Sequence, residues 1–371
     1  MAKMIYQQKR VVIGAFSVGL LGLLAGCGGK PPLRTMACVD APPLEIATSA
    51  DGTTQSAQFS VLTYNLEGLP WPARGGRKPY LQEIGARLAA MNAQGNAPDI
   101  VLFQEMFSAS AKKAVAASGY GAIAPGPRRV SSPEDGPERK LSGKSKPLKG
   151  EIGLRVLGSG LSIASRYPII ERDREAFGRK ACAGFDCLAN KGVMMARVYF
   201  PGVPLPVDFY NSHMNARGAS KVPEKRNLEA HQRQVEMASA FIADTSDDDI
   251  ALIFGGDFNM RHSESRWEGF SQYHPLNLVH GYCISEPDRC DVAMSWDGDE
   301  PWMDTQDLQF FSDGQKMDIR PIRVEAMFDG GPSGPRLSDH DGFKVTYEIQ
   351  WPVNLSEQSN VAYMVNSYCK K

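Results

Sequence analysis

Six stretches of the chain end in polar side chains that could share one reaction. TYNLEG carries Asn65 and Glu67, VLFQEMF carries Gln104 and Glu105, and YNSHMNA carries His213 and Asn215. IFGGDFNMR supplies Asp257 and Asn259, GQKMDI supplies Asp318, and RLSDHDGF supplies Asp339 and His340. A carboxylate and an amide oxygen without thiolate or imidazole partners form a hard oxygen site suited to Mg²⁺, which keeps several waters and takes one or two protein carboxylates. Glu105 with Asn65 offers that pair. Two histidines remain for proton transfer near neutral pH. Each needs an orienting partner, and Asp318 could hold one imidazole in its tautomer. Asp257 and Asn259 could position water and donate a hydrogen bond to developing negative charge. A Lewis acid, a base for water and an acid for the leaving group are what hydrolysis of a phosphate ester requires.

Side chains so far apart in sequence converge only if rigid elements carry them. FSVLTYNL, DIVLFQE, GLSIASRYPI, GVMMARVYF, VDFYNSHMN, DIALIFGGDFN and GFKVTYEI are short, rich in β-branched or aromatic residues and bounded by Gly, Pro, Asp or Asn, so they read as strands. KPYLQEIGARLAAMNA and EKRNLEAHQRQVEMASAFIADT place apolar residues at helical spacing, with Leu81, Ile84, Leu88 and Met91 in the first and Leu228, Val235, Ala238 and Ile242 in the second. Several strands follow one another without a helix, so a simple βαβ alternation fails and two sheets packed face to face with helices outside are expected. Between Arg128 and Lys149 lie seven basic residues, three acids and no apolar period. This stretch reads as a long mobile loop, either a solvated insertion or a lid or electrostatic contact with anionic substrate or lipid.

MAKMIYQQKR followed by VVIGAFSVGLLGLLA is a signal-peptide pattern, too short for a spanning helix. Leu24-Ala25-Gly26-Cys27 resembles the lipobox of bacterial lipoproteins, with Cys27 lipidated at the mature N-terminus, and Gly28 tilts the expected destination to the outer membrane or cell envelope. Residues 1–26 are then the signal peptide, 27–58 a Pro/Gly/Ser/Thr-rich tether and 59–371 one catalytic domain. Removing residues 1–26 takes three of the 41 basic residues and none of the 42 acids, leaving a charge of about −4. That balance argues against a strongly cationic nucleic-acid binder. Six cysteines remain in an exported chain, which points to disulfides, with Cys182–Cys187, Cys283–Cys290 and Cys38–Cys369 chosen among the many pairings possible. No spacing favours zinc.

The ordered set TYNLEG, FQE, SRYPI, SHMNA, GGDFNMR, KMD and SDH resembles the endonuclease/exonuclease/phosphatase superfamily, which includes pancreatic-type deoxyribonucleases, abasic-site endonucleases, inositol polyphosphate 5-phosphatases and neutral sphingomyelinases. The resemblance covers roughly residues 59–349. It implies an α/β four-layer sandwich, deoxyribonuclease-like, with two mainly antiparallel sheets flanked by helices, and Mg²⁺-dependent phosphoester hydrolysis, with Mn²⁺ or Ca²⁺ as substitutes. By motif, Asn65 and Glu105 look like metal ligands and Asp339 like a contact of the metal shell. His213 looks like the histidine on the phosphate side, Asp257 and Asn259 like the pair that orients water and phosphate, Asp318 like the partner of His340, and His340 like the general base.

Within the superfamily, DCLANKGVMMARV is similar to a stretch of neutral sphingomyelinases, and Lys191 there could meet a lipid phosphate. Trp71, Trp296 and Trp302 sit in turn-rich segments and suit a membrane interface or core packing. The leading expectation is a monomeric phospholipase-C-type phosphodiesterase acting on a sphingomyelin-like phospholipid. A secreted or surface nuclease acting on DNA and a noncatalytic binding lipoprotein stand as alternatives.

Overall fold

A computed structural model describes residues 37–134, 136–137, 139–296, 298–331, 334–358 and 361–369. Its strands are β1 (Ile46–Thr48), β2 (Thr54–Asn65), β3 (Ile100–Gln104), β4 (Ala122–Pro125), β5 (Ser162–Ser165), β6 (Ile169–Ala176), β7 (Gly192–Val198), β8 (Val207–His213), β9 (Leu252–Asp257), β10 (Asn277–Leu278), β11 (Asp291–Ala293), β12 (Asp307–Ser312), β13 (Asp318–Met327) and β14 (Gly342–Pro352). The helices are α1 (Lys78–Gln94), α2 (Ala109–Ala116), α3 (Glu224–Thr245), α4 (Glu264–Tyr273), α5 (Val279–Ser285), α6 (Val353–Gln358) and α7 (Val361–Cys369). One sheet runs β11-β13-β14-β2-β3-β5-β4 with β1 on β2, and the other runs β10-β12-β9-β8-β7-β6. Among the named strands, β2 with β3, β8 with β9 and β11 with β13 pair parallel and the others antiparallel, so the sheets are mixed and mainly antiparallel.

Alternation along the strands builds the layers. Phe59 and Val61 of β2 and Ile100 and Leu102 of β3 face Phe209 and Ile253 of the other sheet. The residues between them, Leu62, Tyr64, Val101 and Phe103, point the other way and receive Leu81, Ile84 and Leu88 of α1. On the far side, Val235, Ala238 and Ile242 of α3 pack on Met195, Tyr210 and Phe254. Helix, sheet, sheet, helix is the expected four-layer order. At ~25 cal/mol per Å² of apolar surface, three such interfaces supply most of the driving force for the fold.

Both expected helices and the seven expected strands form, whereas β12 and β13 lie outside the runs read as strands. The stretch expected as a tether is ordered from Ala37 onward: its N–H donates to Ile169 O, β1 pairs with β2, and β2 begins at Thr54 rather than at 59. Disulfides join Cys38 to Cys369, Cys182 to Cys187 and Cys283 to Cys290, as expected. The described residues all belong to one compact unit, Leu33–Lys371. Cys27 and the signal-peptide segment lie outside the described residues. Trp71 is exposed, while Trp296 and Trp302 pack against the apolar cores.

Candidate active site

Strand direction gathers the polar termini at one edge of the sandwich. Because β2 and β3 are parallel, Asn65 ends opposite Gln104, and because β8 and β9 are parallel, His213 ends opposite Asp257. β12 is antiparallel to β9, which sets its first residue, Asp307, beside Asp257. β14 runs antiparallel to β2 and starts at Gly342, so His340 precedes it at the same edge. The chain turns sharply there: Glu67, Glu105 and Asn259 have φ of 50°, 56° and 55°. Such left-handed backbone costs a non-glycine residue on the order of 1–3 kcal/mol and is held only where the surroundings over-determine it.

Polar bridges between the sheets fix this edge. Asn65 Nδ2 donates to Asp257 Oδ2 at 2.9 Å across the interface, and Gln104 Nε2 donates to Asn211 Oδ1 at 2.8 Å. Gln309 Nε2 donates to the carbonyls of Val61 and Phe343, both at 3.1 Å. Gly255 makes the close approach possible, since a Cβ there would lie 2.5 Å from Leu102 Cδ1 and 2.8 Å from Thr63 Oγ1. Beneath the site, the buried Arg266 of α4 donates to the carbonyls of Asn215 and Asn259 and to Asn227 Oδ1, joining the turns after β8 and β9 to α3. Nothing in ESRWEGF marked that arginine as part of the site.

The imidazole of His340 meets Asp307, with 2.5 Å between Nδ1 and Oδ2. Burial lowers its affinity for a proton, but the Asp307 carboxylate outweighs burial and raises its pKa well above the ordinary histidine value. Asp318, expected to hold His340, does not: it opens β13 and pairs with Gln350. Gln350 stands eight residues along β14 from Gly342, a separation of about 27 Å at ~3.4 Å per residue. The sequence did contain a signal for Asp307, an aspartate immediately before the alternating run LQFF.

His213 is buried, and burial together with the charges of Lys191 and His340 pushes its pKa well below the usual value. It therefore stands as neutral imidazole. Lys191 Nζ lies 3.1 Å from His213 Nε2, and an ammonium can only donate, so Nε2 accepts and the ring proton sits on Nδ1. Lys191 also donates to Met214 O at 2.8 Å and pairs with Asp186 Oδ1 at 2.8 Å. With three donors engaged and the side chain buried, it has none left for a lipid phosphate. The expectation that Lys191 binds substrate is corrected to a positioning role. Asp186, which sequence reasoning missed, lies inside the loop closed by Cys182 and Cys187 and also accepts from the N–H of Ala216 at 2.5 Å.

The donor set fits a divalent cation. Among the described residues the Glu105 carboxylate has no hydrogen bond or ion pair, and burial, then the charge of Asp257, raises its pKa to about 7. Asp257, held by Asn65 Nδ2 and by the N–H of Asn259 at 3.1 Å, is also raised, chiefly by burial. Two carboxylates that resist ionisation beside one another, Asp257 buried and Glu105 half-buried, are a site short of positive charge. Asn65 Oδ1 accepts the N–H of Glu67 at 3.0 Å and keeps a second lone pair. Asp339 sits at the rim, half exposed, its N–H donating to Glu67 Oε2 at 3.1 Å and its carboxylate 3.7 Å from Arg74. Single ligand atoms of Asp257, Asp307 and His340 also lie within 4.8 Å of one another. The hydrogen bond inside that group favours proton transfer there. Asn259 Nδ2 donates to Met214 O at 3.1 Å, so its amide braces the β8 turn.

Comparison with known proteins places these residues in context. The model of the Endonuclease/Exonuclease/phosphatase family matches residues 62–275. Sphingomyelinases of Mycobacterium bovis and Mycobacterium tuberculosis are 27% identical over 216 residues, 57% of this chain and 36% of theirs. The chain thus spans about a third of the length of those relatives. Among solved structures, sphingomyelinase C from Streptomyces griseocarneus is similar with a TM-score of 0.54 and 17% identity, over 78% of this chain and 99% of that one. A beta toxin variant from Staphylococcus aureus with bound magnesium ions gives a TM-score of 0.53 and 17% identity, over 78% and 99%.

Proposed function

This chain belongs to the endonuclease/exonuclease/phosphatase family, and on that footing we propose that it is a divalent-metal-dependent phosphodiesterase that hydrolyses a phospholipid of the sphingomyelin type. The observation that carries the reading is the convergence of Asn65, Glu105, His213, Asp257 and the Asp307–His340 pair on one edge of the sandwich. Glu105 and Asn65 would hold the ion, with Mg²⁺ the first choice for an oxygen donor set and because the beta toxin neighbour has magnesium bound. When bound, the ion would supply Lewis-acid polarisation of a phosphoryl oxygen.

The residues do the rest. His340 in its neutral form, with Nδ1–H donated to Asp307 Oδ2, takes the proton of the attacking water at Nε2; the water oxygen bonds to phosphorus, the bond from phosphorus to the lipid oxygen breaks, and that oxygen leaves with a proton from solvent. Asp257 holds its carboxylate toward the same space and orients that water. His213, kept neutral by burial and by the charge of Lys191, lines the phosphate side of the site with its Nε2 3.4 Å from Asp257 Oδ2 and adds no charge there. Asn65 ties the two halves of the site together.

Lipid is favoured over DNA by the rim. Arg74, Arg77 and Arg336 line a cavity of about 810 Å³ beside Glu67 and Asp339. Arg74 and Arg77 pair with Glu67, and Arg336 pairs with Asp341, so this rim offers little unbalanced charge to a polynucleotide backbone. The likeness to sphingomyelinases in sequence and in fold supports the same choice. We also carry forward a monomeric, exported lipoprotein anchored at Cys27 to the outer membrane or cell envelope. Its three disulfides suit an oxidising compartment.

The test is incubation of the purified protein with Mg²⁺ and either sphingomyelin liposomes or plasmid DNA. Phosphocholine release without nicking is the expected result. Nicking without phosphocholine release would replace the lipid with a nucleic acid, and silence on both would remove the catalytic reading.

A further inference from the structure

Exposed large apolar side chains are not spread evenly over the described residues. Leu148 is 94% exposed and Leu154 63% exposed, and Ile152, Val156 and Phe185 are exposed beside them. Ile152, Leu154 and Val156 alternate with Gly153 and a half-buried Arg155, so this segment turns its apolar side chains to solvent and its charge inward. That is the reverse of what solvation alone would select, and an apolar patch rimmed by charge marks a contact surface.

The rim is cationic. Lys144, Lys146 and Lys149 are exposed along the same loop, and Lys149 Nζ lies 5.9 Å from the centre of the Phe185 ring. Arg155 and Arg179 share with Leu154 the lining of a cavity of about 590 Å³. Glu151, the one acid within residues 144–156, is turned inward and neutralised by Arg226 at 2.7 Å, and Asp186 beside Phe185 is paired with Lys191. A chain of formal net charge −1 thus concentrates positive charge around its most exposed aliphatic side chains.

We infer that residues 144–156 with the turn at Phe185 form a docking face for the surface of an anionic lipid bilayer. Leucine, isoleucine and valine do not stack on nucleobases, whereas they enter the acyl boundary of a bilayer readily. Lysine stems cover apolar surface while their ammonium groups stay at headgroup level. No helix among the described residues is long and apolar enough to cross a membrane. The docking face is also coupled to the candidate active site: Phe185 adjoins Asp186, which holds Lys191 against His213, and the N–H of Val156 donates to Leu188 O within the same turn. The inference goes beyond the proposed function, because docking holds whether or not the bilayer is also the substrate.

The experiment is vesicle sedimentation of the compact unit, residues 33–371, in EDTA, so that no turnover alters the lipid. Vesicles of phosphatidylcholine are compared with vesicles in which phosphatidylglycerol replaces part of it. Binding is expected to be at least ~10-fold tighter to the anionic vesicles and to weaken with salt. Lys146→Glu with Lys149→Glu should lower it by about 10-fold or more. Leu148→Ser with Leu154→Ser should lower it by about 10-fold at unchanged charge. Both pairs should hydrolyse a soluble phosphodiester at the wild-type rate, which shows that they fold. Equal binding to both vesicle types, or wild-type binding by either pair, would overturn the inference, as would a DNA fragment that binds tightly and is insensitive to the leucine pair. Selective binding in EDTA with no lipid hydrolysed under Mg²⁺ supports the docking face while removing the lipid substrate. Hydrolysis without selective binding overturns the docking face alone.

Discussion

Asp307 and Asp318 both open a strand, and only the first touches His340. Asp307→Asn should lower kcat by about 10²–10⁴ because the imidazole loses its orienting carboxylate. Since that carboxylate raises the pKa of His340, its removal should also move the acidic limb of the pH–rate profile to lower pH. Asp318→Asn should change neither, and steady-state kinetics across pH separates the two variants. At Glu105 the readout is metal binding. Mg²⁺ should raise the Tm of the wild type and not of Glu105→Gln. A carboxyl with a pKa raised to about 7 must lose a proton to bind the ion, so the Mg²⁺-induced rise in Tm should shrink as pH falls below 7. Most of these residues were legible because strand-end Asn, Asp and Glu stand out against apolar runs. Asp307 carries the same strand-end mark, but its pairing with His340 was not legible, because a contact made across 33 residues has no local signature.

Elements decide whether such side chains can meet. The long loop before β5 carries a 3-10 turn at Pro147–Lys149 and is pinned where Arg226 of α3 pairs with Glu151, which also accepts the N–H groups of Lys146 and Gly184. Burial opposes the charge on Glu151, but the hydrogen bond from Arg226 and those two N–H groups outweigh it and lower the pKa from 4.5 to about 2. A depressed carboxylate pKa stabilises the fold above its unfolded value, and that contribution disappears as pH drops from about 4.5 toward 2. Glu151→Gln should therefore cost about 2 kcal/mol at pH 7, the scale of charge-assisted hydrogen bonds. Urea unfolding should show the gap between variant and wild type closing as the acid range is entered. The loop's basic composition was visible in the sequence; its attachment to α3 was not, since Glu151 and Arg226 lie 75 residues apart.

At the scale of the molecule, the site exists because two sheets lie close enough for Asn65 to reach Asp257. Gly255 sets that spacing, and Gly255→Ala should cost about 1–3 kcal/mol by forcing Leu102 and Thr63 aside. Calorimetry should record a lower Tm, together with weaker stabilisation by Mg²⁺, because the Asn65–Asp257 hydrogen bond spans the same gap. Hydrophobic period, glycine punctuation and cysteine number were enough to point to seven strands, two helices, two packed sheets and the presence of disulfides, because each depends on neighbours a few residues away or on composition, whereas pairing Cys38 with Cys369 across 331 residues was one choice among many. Strand-end carboxylates, amides and imidazoles were enough to point to phosphoester hydrolysis. Which aspartate orients His340, that Lys191 spends its protons on the protein, and that Arg266 lies beneath the site were decided only by tertiary structure. Partner choice among residues of one type depends on strand register and sheet packing, which arise when distant segments meet.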